Sequence, residues 1–525
     1  MWVSEYACKI TLLFANKRIN SHFFASKCCL ALYFFVPSRP IMMILTVVLI
    51  YFLVLFGISR WTARRSSNEL FFRGERRSPW WLVAFGMVGA SISGVTFVSV
   101  PGMVLSSNMA YLQLCLGFIL GYLAVAYVLL PVYYRLNLTS IYSYIGQRLG
   151  QHSYQTGAWF FLLSKMCGAA LKFYVVCMIM QQFVFEGLGV PFALTVVAFV
   201  LLIWLYTQRG GIRTLVFTDT FQTLCLFTAL LLIIYKVMGA MDLSVSEAAS
   251  AVLSDERSRV FVFDDWSSPW LFWKQLLSGL FIVVVMTGLD QDMMQKNLTC
   301  KTLKDAQKDM CTYGVAFLPA NFLFLALGVL LAQFFESQGI SLPAKGDELL
   351  PMFIADSEQL IVNSSGIATS FLMPVFVLGI LAASFSSADS ALTSLTTCYC
   401  VDIRRQEHDE HLRRRVHIAM CVFFAVFILF FDTINSKSLI DAIYTVVSYT
   451  YGPLLGLFAF GLFTKRKVRD CFVPFICIAS PLLCYAVDQI AKQQFGYHFG
   501  YELLLLNGLL TFVGLWVTSY GVKSK

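Results

Sequence analysis

The chain has 525 residues, of which 58% are hydrophobic and only 13% charged; a water-soluble domain carries about 25% charged residues. Apolar stretches recur from one end to the other, which argues against a soluble enzyme or a nucleic-acid-binding protein. The net charge of +9 therefore reads as a topology signal rather than a nucleic-acid footprint.

A membrane-crossing helix needs roughly 20 apolar residues. Thirteen segments approach that length: 43–59, 80–105, 110–134, 155–185, 190–207, 213–240, 270–294, 312–335, 369–401, 416–434, 439–463, 470–490 and 502–521. With Met43 outside, the loops at 60–79, 135–154, 208–213, 295–311, 402–415 and 464–469 and the tail 522–525 fall inside. They hold most of the Lys and Arg residues, while the outside loop 241–269 is rich in Asp and Glu, the positive-inside pattern. The expectation is an all-α, multi-pass integral membrane protein of the cell inner (plasma) membrane, with about thirteen transmembrane helices and a cytoplasmic C-terminus. Residues 1–42 contain no clean span and end in Val36-Pro37-Ser38-Arg39-Pro40. They read as a mis-assigned leader before a true start at Met42 or Met43, since the ordered series of a targeting peptide is missing.

The long outside loops 241–269 and 336–368 each have room for a short helix. The 15 cysteines lie mostly within spans and show no paired CxxC spacing, so small apolar packing explains them. His408 to His411 reads as a solvated turn. The Asn137-Leu138-Thr139 and Asn297-Leu298-Thr299 patterns fall on the inside face, away from glycosylation. No phosphate-binding glycine loop occurs, so an ion gradient must supply the energy if transport is active.

Two spans are interrupted at mid-depth. In 80–105 the run Gly89-Ala90-Ser91-Ile92-Ser93-Gly94-Val95-Thr96 breaks the apolar pattern, and in 270–294 Thr287-Gly288-Leu289-Asp290-Gln291 does the same. Each opens a group of five spans, 80–240 and 270–463. Matched breaks point to a binding site built from inverted repeats; the bland reading is close packing through small residues, as expected of Gly117 and Gly121. The division is then 1–42, the leader; 43–79, a leading helix and inside loop; 80–240, the first repeat; 241–269, the outside loop; 270–463, the second repeat; and 464–525, two C-terminal helices. Ser386-Ser387-Ala388-Asp389-Ser390 puts hydroxyls and a carboxylate inside another apolar span. These are hard oxygen ligands suited to a small hard cation, in a place where unpartnered polar groups are costly.

At these residues the chain resembles the sodium:solute symporter family, with its LeuT-like 5+5 inverted repeat and broken first and sixth core helices. The landmarks are Trp80-Trp81, the break from Ser91 to Phe97, Phe217 to Gln222, Asp290-Gln291 with Gln295-Lys296, Ser386 to Leu392, and Tyr449 to Pro453. The resemblance implies a main sodium site made by the carbonyls of Gly89, Ile92 and Ala383 and the side chains of Ser386 and Ser387. It implies a second cation site at Asp219, Ser386, Asp389 and Ser390, where members usually carry a hydroxyl in place of Asp389. Two nearby carboxylates repel unless a cation or proton lies between them; the alternative is that Asp219 pairs locally near the membrane surface.

For the substrate, Ser91, Ser93 and Thr96 align with hydroxyls that hold a carboxylate in sodium–sialic acid members, and Thr287 and Thr445 come from the sixth and tenth core helices. Lys165 and Lys172 share one helix face. Lys165 is near enough to the inner surface to snorkel, whereas Lys172 lies deep and wants an anion. The expected function is a sodium-coupled secondary active symporter importing a small, carboxylate-bearing organic solute by alternating access. Proton coupling through Asp219 and Asp389 is the alternative; a membrane-embedded enzyme or a sensor is weaker. No organic cofactor is expected, Na+ is the coupling ion, and the partners are the solute, Na+ and the lipid bilayer for a monomeric protein without nucleic acid.

Overall fold

The computed structural model describes residues 39–519 apart from 64–66, 265, 267, 361–370, 435–438, 496, 498 and 501. The leader up to residue 38 lies outside the described residues, as do the side chains of 439–447, Thr445 among them. The described residues are helical throughout their regular structure. The main helices are α1 Arg39–Thr62, α2 Trp80–Ser91, α3 Gly94–Gly102, α4 Tyr111–Ala124, α5 Gln151–Met180, α6 Phe192–Thr207, α7 Ile212–Ala240, α8 Phe272–Val283, α9 Gln291–Asn297, α10 Leu303–Ser337, α11 Leu372–Cys398, α12 Glu410–Ile434, α13 Leu439–Phe463, α14 Val473–Phe495 and α15 Leu503–Ser519.

Every apolar segment predicted as a span has a helix or a bent helix pair as its counterpart. Among the described residues eight helices are long and apolar enough to cross a membrane, or up to 10 if each bent pair is one span. The helices α6 and α15 are apolar but shorter. Both of the long loops expected outside contain a short helix, Val245–Ser254 and Leu349–Leu360. The first of these starts with a capping box, Ser244 and Glu247 exchanging hydrogen bonds with each other's backbone N–H.

Position in the bundle follows burial. The most apolar stretch of the α11 span is 89% buried, against 28% for the α1 and α12 spans and 22% for the α14 span. So α11, which carries the serine cluster, is the central post, and α1, α12 and α14 turn most of their surface outward. Helices α7, α5 and α2 pack against α11. Glycines set the close approaches. A Cβ on Gly117 would lie 2.2 Å from the Leu276 carbonyl oxygen, and one on Gly279 would lie 2.3 Å from that of Leu114. Helices α4 and α8 therefore touch backbone to backbone, the small-residue packing expected of Gly117.

The two breaks are real and sharp: α2 and α3 meet at 63°, and the α8 and α9 segments at 71°. The backbone leaves the helical region at Ile92 (φ −81, ψ 94) and Ser93 (φ −80, ψ 169). In the second break it does so at Asp290 (φ −102, ψ 118). Irregular backbone at membrane depth persists only where protein or a cavity covers its polar groups. Both breaks meet that condition, in different ways.

Candidate functional site

The second break is closed by the protein's own side chains. Tyr133 donates to the Gly288 carbonyl at 2.8 Å and Tyr142 to the Leu289 carbonyl at 2.9 Å. Asp290 caps α9, its Oδ1 accepting from the Asp292 N–H at 2.8 Å. Its Oδ2 accepts from Tyr451 at 2.8 Å and from Lys165 at 3.1 Å. Lys165 Nζ also lies 2.7 Å from Asp292 Oδ2. The snorkelling expected of Lys165 is therefore corrected: it is buried as the cation of a three-charge cluster that ties α5 to the second break. The sequence could not show this, because the pairing depends on a fold in which residues 125 apart meet.

The first break is left open. Ile92 N–H bonds to Val88 and Phe97 N–H to Ser93, but among the described residues no backbone bond at the break reaches the carbonyl of Gly89 or Ile92. Helix-end carbonyls carry partial negative charge and lack intrahelical partners. Against this edge α11 presents Ser387, whose Oγ lies 2.8 Å from the Ala90 carbonyl oxygen and 3.3 Å from that of Ala383. Ser387 thus reaches the break at the Ala90 carbonyl, whereas its contact with Ala383 lies within α11. Gly89 has a packing role as well: a Cβ there would fall 1.9 Å from Thr223 Oγ1 on α7.

The adjacent serine points elsewhere. Ser386 donates to Asp219 Oδ1 at 2.7 Å, and both residues are buried. Asp219 therefore bonds across to α11 and not only within its own helix. Asp389 accepts from Tyr206 at 2.6 Å and from Ser390 at 3.3 Å. One residue of this cluster escaped the sequence reading. Lys296 Nζ lies 2.8 Å from Asp219 Oδ2, with the lysine side chain 2% exposed. Residue 296 was assigned to an inside loop, yet α9 is a helix with all of its residues buried. The first residues after a break look like a loop in any hydropathy profile.

A cavity of about 170 Å³ lies beside the first break. Its polar lining includes Ser91, Ser93, Thr96, Lys172, Thr287 and Ser387. Ser93 does not cap α3, so its hydroxyl faces Thr96 Oγ1 at 3.4 Å. Ser91 bonds to the Tyr313 hydroxyl. Asp290, Asp292 and Lys165 also border the cavity. The half-buried Lys172 has no hydrogen-bond or ion-pair partner among the described residues, in contrast to Lys165 one face-repeat away. Apolar walls with a few convergent polar groups are the usual form of a small-molecule site. Of the predicted substrate residues only Thr445 is not placed here, since its side chain lies outside those described.

An open helix break facing hydroxyls at the core of a helical bundle is the architecture of a secondary transporter. The sequence model of the sodium:solute symporter family matches residues 71–470, and the chain belongs to that family. The sodium/sialic acid symporter SiaT of Proteus mirabilis is 25% identical over 425 residues, covering 77% of this chain and 81% of the relative. NanT of Aliivibrio fischeri, also a sodium/sialic acid symporter, is 24% identical and covers 77% and 79%. The human sodium/iodide cotransporter is 23% identical over 430 residues, 78% of this chain and 64% of its own length. Among solved structures, the substrate-bound outward-open state of a Na+-coupled sialic acid symporter superposes with a TM-score of 0.76 at 21% identity, over 92% of this chain and 98% of the other. The chain is thus a multi-pass, sodium-coupled transporter with the five-plus-five fold, and not an enzyme.

Proposed function

We propose that this symporter imports a small organic anion, a carboxylate-bearing solute of the sialic acid or sugar acid kind, together with sodium bound at the first break. The observation that carries the reading is Lys172: an ammonium in the cavity wall, without a hydrogen-bond or ion-pair partner among the described residues, in a cavity that the hydroxyls of Ser93 and Thr96 also line. An uncompensated charge within the membrane is expensive, and a solute carboxylate would neutralise it. The sodium would be held by the carbonyls of Gly89, Ala90, Ile92 and Ala383 with Ser387, and Ser386 would complete the wall behind it. The bacterial relatives, whose names state sodium and sialic acid, support the same substrate class. In this reading the repeats are 80–240 and 270–463, and the transporter is a monomer of the inner membrane with its C-terminus inside.

Uptake into proteoliposomes tests the proposal, with radiolabelled N-acetylneuraminate and short sugar acids as probes. Accumulation driven by an inward sodium gradient, and lost on replacing sodium with potassium, is the expected result. Sodium-dependent uptake confined to neutral sugars would overturn the anionic assignment. In the same assay Ser387→Ala should weaken the sodium dependence, because it removes the hydroxyl that contacts the Ala90 carbonyl.

A further inference from the structure

The Asp219 cluster already contains a cation. Its oxygens come from α7 and α11: two buried carboxylates, Asp219 and Asp389, and the hydroxyls of Ser386 and Ser390. Such a set suits a sodium ion by number and hardness. Into it, from α9 of the second repeat, comes the ammonium of Lys296, 2.8 Å from Asp219 Oδ2. Beyond this ion pair, Asp219 Oδ2 and Lys296 Nζ have no hydrogen-bond partner among the described residues. Lys296 is also within Coulombic range of Asp389 and Asp292.

We infer that Lys296 is a tethered counter-ion that takes the place of a second sodium, so that the protein binds a single sodium, at the first break, and the Asp219 site becomes a sodium site only when Lys296 is removed. The inference rests on the sodium-coupled reading above and deepens it by fixing the number of ions. The argument is electrostatic. Asp219 and Asp389 without a cation would leave two carboxylates together in a buried place, which strongly disfavours ionising both. A lysine supplies one positive charge at no cost in bound-ion entropy, and a second cation beside it would meet that charge at short range in a medium of low dielectric. The tether also has a structural consequence. Because α9 follows the second break, the ammonium ties the half-helix that bends at Asp290 to α7, beside the Gln295–Thr397 hydrogen bond that already joins it to α11; a diffusible ion would not carry this covalent tether.

Sodium alone serves as the probe. Purified full-length protein in detergent is titrated with sodium in a choline background, and ions bound per chain are counted by equilibrium binding of radioactive sodium, with the thermal shift followed in parallel. The wild type should bind one sodium, and Asp219→Asn should still bind one. Lys296→Gln should bind two, and Lys296→Gln combined with Ser387→Ala should return the count to one. Lys296→Arg should behave as the wild type. Two sodium ions in the wild type, or one in a folded Lys296→Gln, would overturn the inference. If Lys296→Gln fails to fold, the Lys296→Gln/Asp219→Asn pair, which removes both charges, replaces it; the wild-type and Asp219→Asn counts then decide the matter, since a sodium at Asp219 would make that variant lose one ion. A wild type that binds none would instead refute the sodium-coupled reading itself, so the two failures are distinguishable.

Discussion

Two lysines on one helix face show how little residue type says without a partner. Lys165 and Lys172 are seven positions apart on α5, both deep in the bundle. Lys165 is matched by Asp290 and Asp292; Lys172 faces the cavity. Their substitutions should therefore separate. Lys165→Met strands two buried carboxylates, and removing one partner of a buried pair costs about 3–5 kcal/mol, so the melting temperature should fall clearly. Lys172→Met leaves nothing stranded, so the fold should keep its stability. What it should lose is the charge-assisted bond to a solute carboxylate, worth about 1.5–3 kcal/mol, or roughly 10–100-fold in affinity. Thermal melts with and without N-acetylneuraminate check both halves; a Lys172→Met protein with undiminished ligand affinity would remove this residue from the site. The sequence made Lys172 legible because its depth could be counted from the helix start. Lys296 stayed hidden because its neighbours are polar and its burial is set by other helices.

Elements were easier to read than residues, for a physical reason. A span has to be apolar over its whole length, so its signal is spread across some 20 residues. A break needs several small or polar residues together, and both breaks were visible as such, at Gly89 to Thr96 and Thr287 to Gln291. What the pattern could not show is the difference between them. One break has its carbonyls satisfied by Tyr133 and Tyr142, and the other leaves those of Gly89 and Ile92 without a backbone bond among the described residues. That difference depends on tyrosines of the segment joining α4 to α5, whose reach across the bundle is a tertiary fact. The same holds for Gly117 and Gly279, where helices α4 and α8 meet at the backbone. Gly117→Ala would place a methyl group 2.2 Å from a carbonyl oxygen that cannot swing away. Overpacking of this kind costs about 1–3 kcal/mol. Gly168→Ala, where a Cβ meets nothing within 4 Å, should change the melting temperature little. Comparing the two variants by thermal unfolding tests whether α4 and α8 are held by contact between backbones; equal melting temperatures would refute it.

At the scale of the whole molecule, the proposed ion and solute sites are neighbours that share one piece of unwound chain. The carbonyls of Gly89, Ala90 and Ile92 belong to the first break, and Ala90, Ser93 and Thr96 line the cavity beside it. Ser387 belongs to both, touching the break and bordering the cavity. A sodium that orders this chain spares the solute the same ordering cost, and the solute does likewise for the ion. Coupling free energies of about 1–3 kcal/mol correspond to 5–150-fold changes in affinity. Thermodynamic linkage requires the two factors to be equal. Calorimetric titration of N-acetylneuraminate at zero and saturating sodium gives one factor, and titration of sodium with and without the solute gives the other. Equal factors well above one are expected for the wild type. Ser387→Ala should bring both toward one together, because it removes the side chain the two sites have in common. Solute affinity that does not respond to sodium would mean that the first break is not the point where the two are coupled.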